Sequence, residues 1–137
     1  MNLNKVAIIG NLVQNPVVRA LPSGTSVTSF TVATNYAWRD SESKERQETT
    51  EFHSVVAWGR LGTICSKYLK KGDRVYLEGR LNTRNWKDAQ GAKRYRTEIV
   101  ANQLIMLGGK SSVKGDRINE ESAQEEVSLS KIPAEAE

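Results

Sequence analysis

The chain has one imidazole and one thiol, His53 and Cys65. Spacing alone leaves open a Cys–His nucleophile pair. However, His53 falls inside a strand-like stretch and Cys65 on the apolar side of a helix-like one, where a cysteine usually packs rather than reacts. A zinc site needs three or four Cys, His or carboxylate ligands, and no such cluster can be read in the sequence. No glycine-rich phosphate loop of the Walker or dinucleotide type is present. The carboxylates are scattered through charged stretches. The expectation is a protein with no catalysis, no metal and no cofactor.

The aromatic and cationic side chains point elsewhere. In "RNWKDAQGAKRYR", Arg84–Arg96, Trp86 and Tyr95 stand among five basic residues around Gly91, a segment too polar for a core. Phe52 and Trp58, six residues apart on one strand-like stretch, share a face and stand roughly 20 Å apart, with Ser54 between them. Trp38 abuts Arg39 where a strand enters charged sequence. Flat rings beside arginine and lysine are what an unpaired nucleic acid needs. Each base offers a π-face to stack, while cations follow the phosphates. A duplex keeps its bases stacked on one another and gains nothing from such a platform. The competing reading makes Phe52 and Trp58 one layer of the core.

These residues must be positioned by local structure. "NKVAIIGNLV" (Asn4–Val13) reads as a strand, and "PVVRAL" continues extended before the turn signal "PSGTS" (Pro22–Ser26). "VTSFTVATNYA" (Val27–Ala37) is a second strand. "WRDSESKERQET" (Trp38–Thr49) is charged and aperiodic, as a long loop would be. "TEFHSVVAWG" (Thr50–Gly59) is a third strand. Leu61, Ile64, Cys65, Tyr68 and Leu69 then recur at helical spacing, with Lys70 and Lys71 expected in the last turn and Gly72 as the stop. From Asp73 to Arg84 the pattern alternates, with Val75, Leu77 and Leu81 on one face. A hairpin with Gly91 near its tip leads into Tyr95–Leu107. A mainly β chain with five strands, and one helix between strands 3 and 4, is the order of an OB-fold, a small Greek-key barrel.

Residues 1–109 hold 16 Lys/Arg against 9 Asp/Glu, while residues 110–137 hold 4 against 7. A basic body suits a polyanionic ligand, nucleic acid first. The segment 110–137 has no aromatic and few apolar residues, so it reads as a disordered acidic tail behind a single domain spanning 1–109. No apolar run is long enough to span a membrane. No signal or transit segment is recognisable, and one cysteine suits a reducing cytosol.

"NKVAIIGNLVQNPVVR", "VATNYAWRD", "EFHSVVAWGRL", "YLKKGDRVYLEGRLNTRNW" and "MLGG" together resemble the bacterial single-stranded DNA-binding proteins, in order and almost unbroken from Asn4 to about Lys110. The resemblance implies an OB barrel that assembles as a homotetramer and coats single-stranded DNA in replication, recombination and repair in a bacterial cytosol, of chromosomal, plasmid or phage origin. It places base-stacking rings at Trp38, Phe52, Trp58 and Trp86, with the Trp and Phe of the third strand exchanged relative to the usual pattern. It places phosphate contacts at Arg39, Arg60, Lys71 and Arg84 and, more loosely, at Lys5 and Arg96. His53 matches a histidine of the subunit interface. Tyr68 matches a ring near DNA, although its helical spacing favours packing. The tail departs from the pattern. It ends "SKIPAEAE", without the family's acidic Ile-Pro-Phe tip, so recruitment of protein partners through it is not expected.

The expectation is therefore a sequence-tolerant single-strand binder. An OB-fold adaptor for protein partners and an enzyme on an OB platform are the rivals. DNA and RNA are not separated by stacking and phosphate contacts alone.

Overall fold

The computed structural model describes residues 1–108. The expected tail, 110–137, lies outside the described residues. Six strands and one helix follow in the order β1 (Val6–Leu12), β2 (Val17–Ala20), β3 (Ser26–Arg39), β4 (Arg46–Trp58), α1 (Gly59–Tyr68), β5 (Arg74–Lys87) and β6 (Lys93–Met106).

The strands hydrogen-bond in the order β1-β5-β6-β4-β3-β2, and β1 also pairs with β3, which closes the barrel. β1 and β2 are one bent strand. Asn11 and Leu12 pair with Ala33 and Val32, and the same antiparallel run resumes with Val17 opposite Ser29. The break between them ends at Pro16, which has no N–H to give the ladder. The five expected strands are therefore present, with the first broken by this bend. Closure brings β1 hard against β3 at Gly10, where a β-carbon would collide with the Ala33 carbonyl.

Inward-facing residues of every long strand form the core: Phe30, Val32, Val55, Ala57, Val75, Leu77, Ile99, Ala101 and Leu104 are all buried. β6 keeps its apolar residues inside by a bulge. Glu78 and Gly79 pair with Gln103 and Ala101, so Asn102 is extra and the phase of the strand shifts there. The helix lays Leu61, Ile64 and Cys65 on the barrel, as their spacing predicts. It ends at Tyr68, however, so Lys70 and Lys71 lie beyond it. Leu69 is already extended, and its N–H bonds the Cys65 carbonyl at 3.0 Å. The turn that follows is held by the Asp73 carboxylate, which accepts from the Lys70 N–H, and by the Gly72 N–H on the Leu12 carbonyl.

The stretch Trp38–Thr49 is not a long loop. β3 runs to Arg39 and β4 starts at Arg46, with Trp38 opposite Gln47 and Tyr36 opposite Thr49. Only residues 40–45 turn, held by the Asp40 N–H on the Glu45 carbonyl (3.0 Å) and by the Asp40 carboxylate, which accepts from Ser43. This ribbon leaves both faces in water, so no apolar alternation marks it in the sequence. β5 and β6 likewise run past the barrel to Lys87 and from Lys93, making a second projecting hairpin.

Candidate nucleic-acid interface

Strand alternation and register decide which side chains meet. On β4, His53, Val55 and Ala57 lie on the pleat that faces the core, and Phe52, Ser54, Val56 and Trp58 lie on the outer one. Phe52 is 65% exposed, which excludes the core-layer reading for that ring. Trp58 is opposite Val27, and Val27 is opposite Arg19, so Arg19 comes to the tryptophan's side of the sheet. From the other side, Val56 pairs with Val100 in the parallel β4–β6 contact. Along β5 and β6, Asn82 faces Glu98, Arg84 faces Arg96 and Trp86 faces Arg94.

The result is an open cleft of about 380 Å³, lined among others by Arg19, Trp58, Asn82, Arg84, Arg96 and Glu98. Its apolar floor includes Val56 and Val100. Arg96 is anchored by an Nη2 hydrogen bond to the Ser54 hydroxyl at 2.8 Å, a neutral partner that leaves its charge uncompensated. Arg84 donates from Nε to the buried Glu98 carboxylate at 2.7 Å, and its guanidinium lies 5.5 Å over the Trp86 ring. Trp86 is thus carried out of the cleft along the second hairpin. Asp88 pins the tip of that hairpin, accepting from the Gln90 and Ala92 N–H groups and from Arg94 Nε. Those bonds, the backbone one from Ala92 first, hold the Asp88 carboxyl below its ordinary pKa. Gly91, at φ +80°, makes the turn possible.

The structure brings Trp58, Arg84 and Arg96 into one cleft, with Phe52 and Trp86 on the same outer pleats beyond it. The remaining expected residues lie elsewhere. Trp38 is on the pleat of Phe30 and Val32, opposite to that of Phe52, and stacks on Tyr36 at 5.6 Å. Arg39 ends β3 on the pleat opposite to that of Trp38. Arg60 lies in the first turn of α1 and, with Thr63, Ile64 and Lys67, borders a shallow depression of about 230 Å³. Lys71 is exposed in the turn after the helix, its N–H donating to Asn15 Oδ1. Lys5 is engaged by Glu78 at 2.9 Å, and that hydrogen bond and charge raise its pKa. Tyr68 is half-buried, with the Lys67 ammonium 5.3 Å from its ring centre.

His53 is half-buried on the core-facing pleat of β4, its Nε2 2.8 Å from the Thr34 hydroxyl. Burial pushes the Cys65 thiol up to about 12, so its reactive thiolate is strongly disfavoured.

Arg19, Asn82 and Glu98 were not among the expected site residues. The alternation of Val17, Arg19 and Leu21 shows that these three share a pleat. Nothing in it tells that this pleat adjoins Trp58, because that adjacency is set by the β2–β3–β4 register.

A five-strand barrel closed by its first strand, with a helix on its core and an outer face of rings and guanidinium groups, is an OB-fold of the nucleic-acid-binding kind. A profile of the single-strand binding protein family matches residues 3–107. The chain is 54% identical over 114 residues to the single-stranded DNA-binding protein 1 of Chlorobaculum tepidum, covering 82% of this chain and 70% of that protein. Its fold matches a Plasmodium falciparum SSB solved in complex with ssDNA, with a TM-score of 0.73 and 34% identity over 79% of this chain and 97% of that one. A deletion mutant of the single-stranded DNA binding protein from Thermus aquaticus matches with a TM-score of 0.69 and 31% identity, over 79% of this chain and 52% of that one. The chain belongs to the single-strand binding protein family.

Proposed function

We propose that the chain binds single-stranded DNA with little sequence preference, stacking bases on Trp58, Phe52 and Trp86 while Arg19 and Arg96 take phosphates. The observation that carries this reading is the cleft. Register from four strands gathers one tryptophan and three guanidinium groups on one outer face, and that face continues along a basic hairpin to a second tryptophan. Stacking is tolerant of sequence because every base has a π-face. The protein acts by binding alone, in the cytoplasm or nucleoid, to shield strands exposed in replication, recombination and repair. It works as an oligomer of identical subunits, a tetramer by family resemblance, with His53 near the subunit contact. Arg39, Arg60, Lys71 and Lys5 are outlying cations along the path of a long strand. Among the described residues no helix is long and apolar enough to cross a membrane.

The test is titration of the tryptophan fluorescence with a thymidine oligomer, a matched duplex and a uridine oligomer. Quenching by the thymidine strand, absent with the duplex and weakening as salt rises, is the expected result. Equal quenching by the uridine strand would widen the ligand to RNA. No quenching by either single strand would overturn the reading and return attention to protein partners.

A further inference from the structure

A buried carboxylate is out of place on a face that holds a polyanion. Glu98 is only 6% exposed, yet its side chain lies on the cleft pleat of β6, opposite Asn82. Oε1 accepts from Arg84 Nε at 2.7 Å and Oε2 from Nη2 at 3.5 Å, so the planar fork is turned inward along one edge. Two residues further along the same pleat, the guanidinium covers one face of the Trp86 indole. Arg96, paired with the neutral Ser54, has no such commitment.

We infer that Glu98 and Arg84 are positioning residues for Trp86: the carboxylate orients the guanidinium, the guanidinium backs one face of the indole, and the other face is left for a base. Arg84 is then a strut more than a phosphate contact. The acidic residue strengthens the binding of an acidic ligand. The inference rests on the stacking function proposed above.

That reversal of sign makes it testable. In a Trp38→Phe, Trp58→Phe background Trp86 is the sole tryptophan. Glu98→Gln keeps the shape and removes the charge. If charge alone matters, thymidine oligomers bind this variant more tightly, and that result overturns the proposal. The strut predicts binding weaker by about three- to tenfold, a fraction of the contribution of one stacked base. Arg84→Lys keeps the charge and loses the fork, and its partly exposed site guards against a variant that fails to fold. Near-parental affinity of Arg84→Lys would restore the phosphate-contact role and overturn the strut. Weaker binding with an unchanged salt slope supports it.

Time-resolved anisotropy of Trp86 without DNA reads the strut independently. The ring gains fast motion in both variants if the proposal holds, and is unchanged if it does not. Failure of the stacking function itself shows differently, as a parent whose Trp86 is not quenched by DNA at all.

Discussion

Two hairpins leave the barrel, built alike in backbone and opposite in charge. The β3–β4 hairpin, over residues 35–51, carries 3 Lys/Arg against 5 Asp/Glu, whereas the β5–β6 hairpin, over residues 81–97, carries 5 against 1. The first spends its rings on each other: Tyr36 and Trp38 stack on the pleat away from Phe52. The second holds Trp86 against a guanidinium and ties its own tip through Asp88 and Arg94. Trp38 and Trp86 are equally exposed, so the two ribbons differ in the charge beside the ring rather than in its burial. We propose on that difference that the second hairpin is the main arm for the strand.

The largest effect expected from that contrast is loss of binding when the rings of the cleft and the second hairpin are removed. Trp58→Ala and Trp86→Ala should each weaken thymidine-oligomer affinity by about 1–3 kcal/mol, measured by anisotropy of a labelled strand. Unchanged affinity in the double variant would break the stacking assignment. Next comes the charge. With about 5 cations engaged, log affinity should fall against log salt at a slope near −3.5, and Arg96→Ala should make that slope shallower by about 0.7. Trp38→Ala sharpens the contrast directly, with a cost expected below the ~1 kcal/mol of one stacked base. A Trp38 effect as large as that of Trp86 would make the two hairpins equal partners and sink the distinction.

The smallest effect is confined to the second tip. The Asp88 carboxyl is held below its ordinary value of 3.8, so its bonds contribute fully above that pH and are lost as pH falls through the lower folded value. Emission of Trp86 as sole tryptophan should therefore change below pH 3.8. Asp88→Asn should remove that transition.

How far each feature could be read in advance depended on what it buries. The helix was legible because Leu61, Ile64 and Cys65 repeat at its period. The body of β5 was legible because Val75 and Leu77 alternate into the core. The end of the helix was less so, since Lys70 and Lys71 suit a last turn, but the Lys70 N–H donates to the Asp73 carboxylate and the Gly72 N–H to the Leu12 carbonyl, which takes the chain away first. The outer half of the first hairpin was illegible, because a ribbon wet on both faces selects no pattern. At the site, Trp86, Arg84 and Arg96 stood out as a ring and cations in sequence too polar for a core, and Trp58 only as sharing a strand face with Phe52. Arg19 and Glu98 did not, one lying in a short stretch and the other looking like any solvated acid.

The sequence by itself determined which residues are apolar, aromatic and charged, which of them share a pleat or a helix face, and to which family the pattern is similar. Only the tertiary structure decided which pleats become neighbours. Arg19 reaches Trp58 through the register of β2 on β3 and β3 on β4. Glu98 meets Arg84 through the register of β5 on β6. Trp38 faces away because an unbroken ladder preserves the alternation that begins at Phe30. The physical reason is that alternation is local, a property of one strand, whereas register and barrel closure are set jointly by the packing of all the strands around one core.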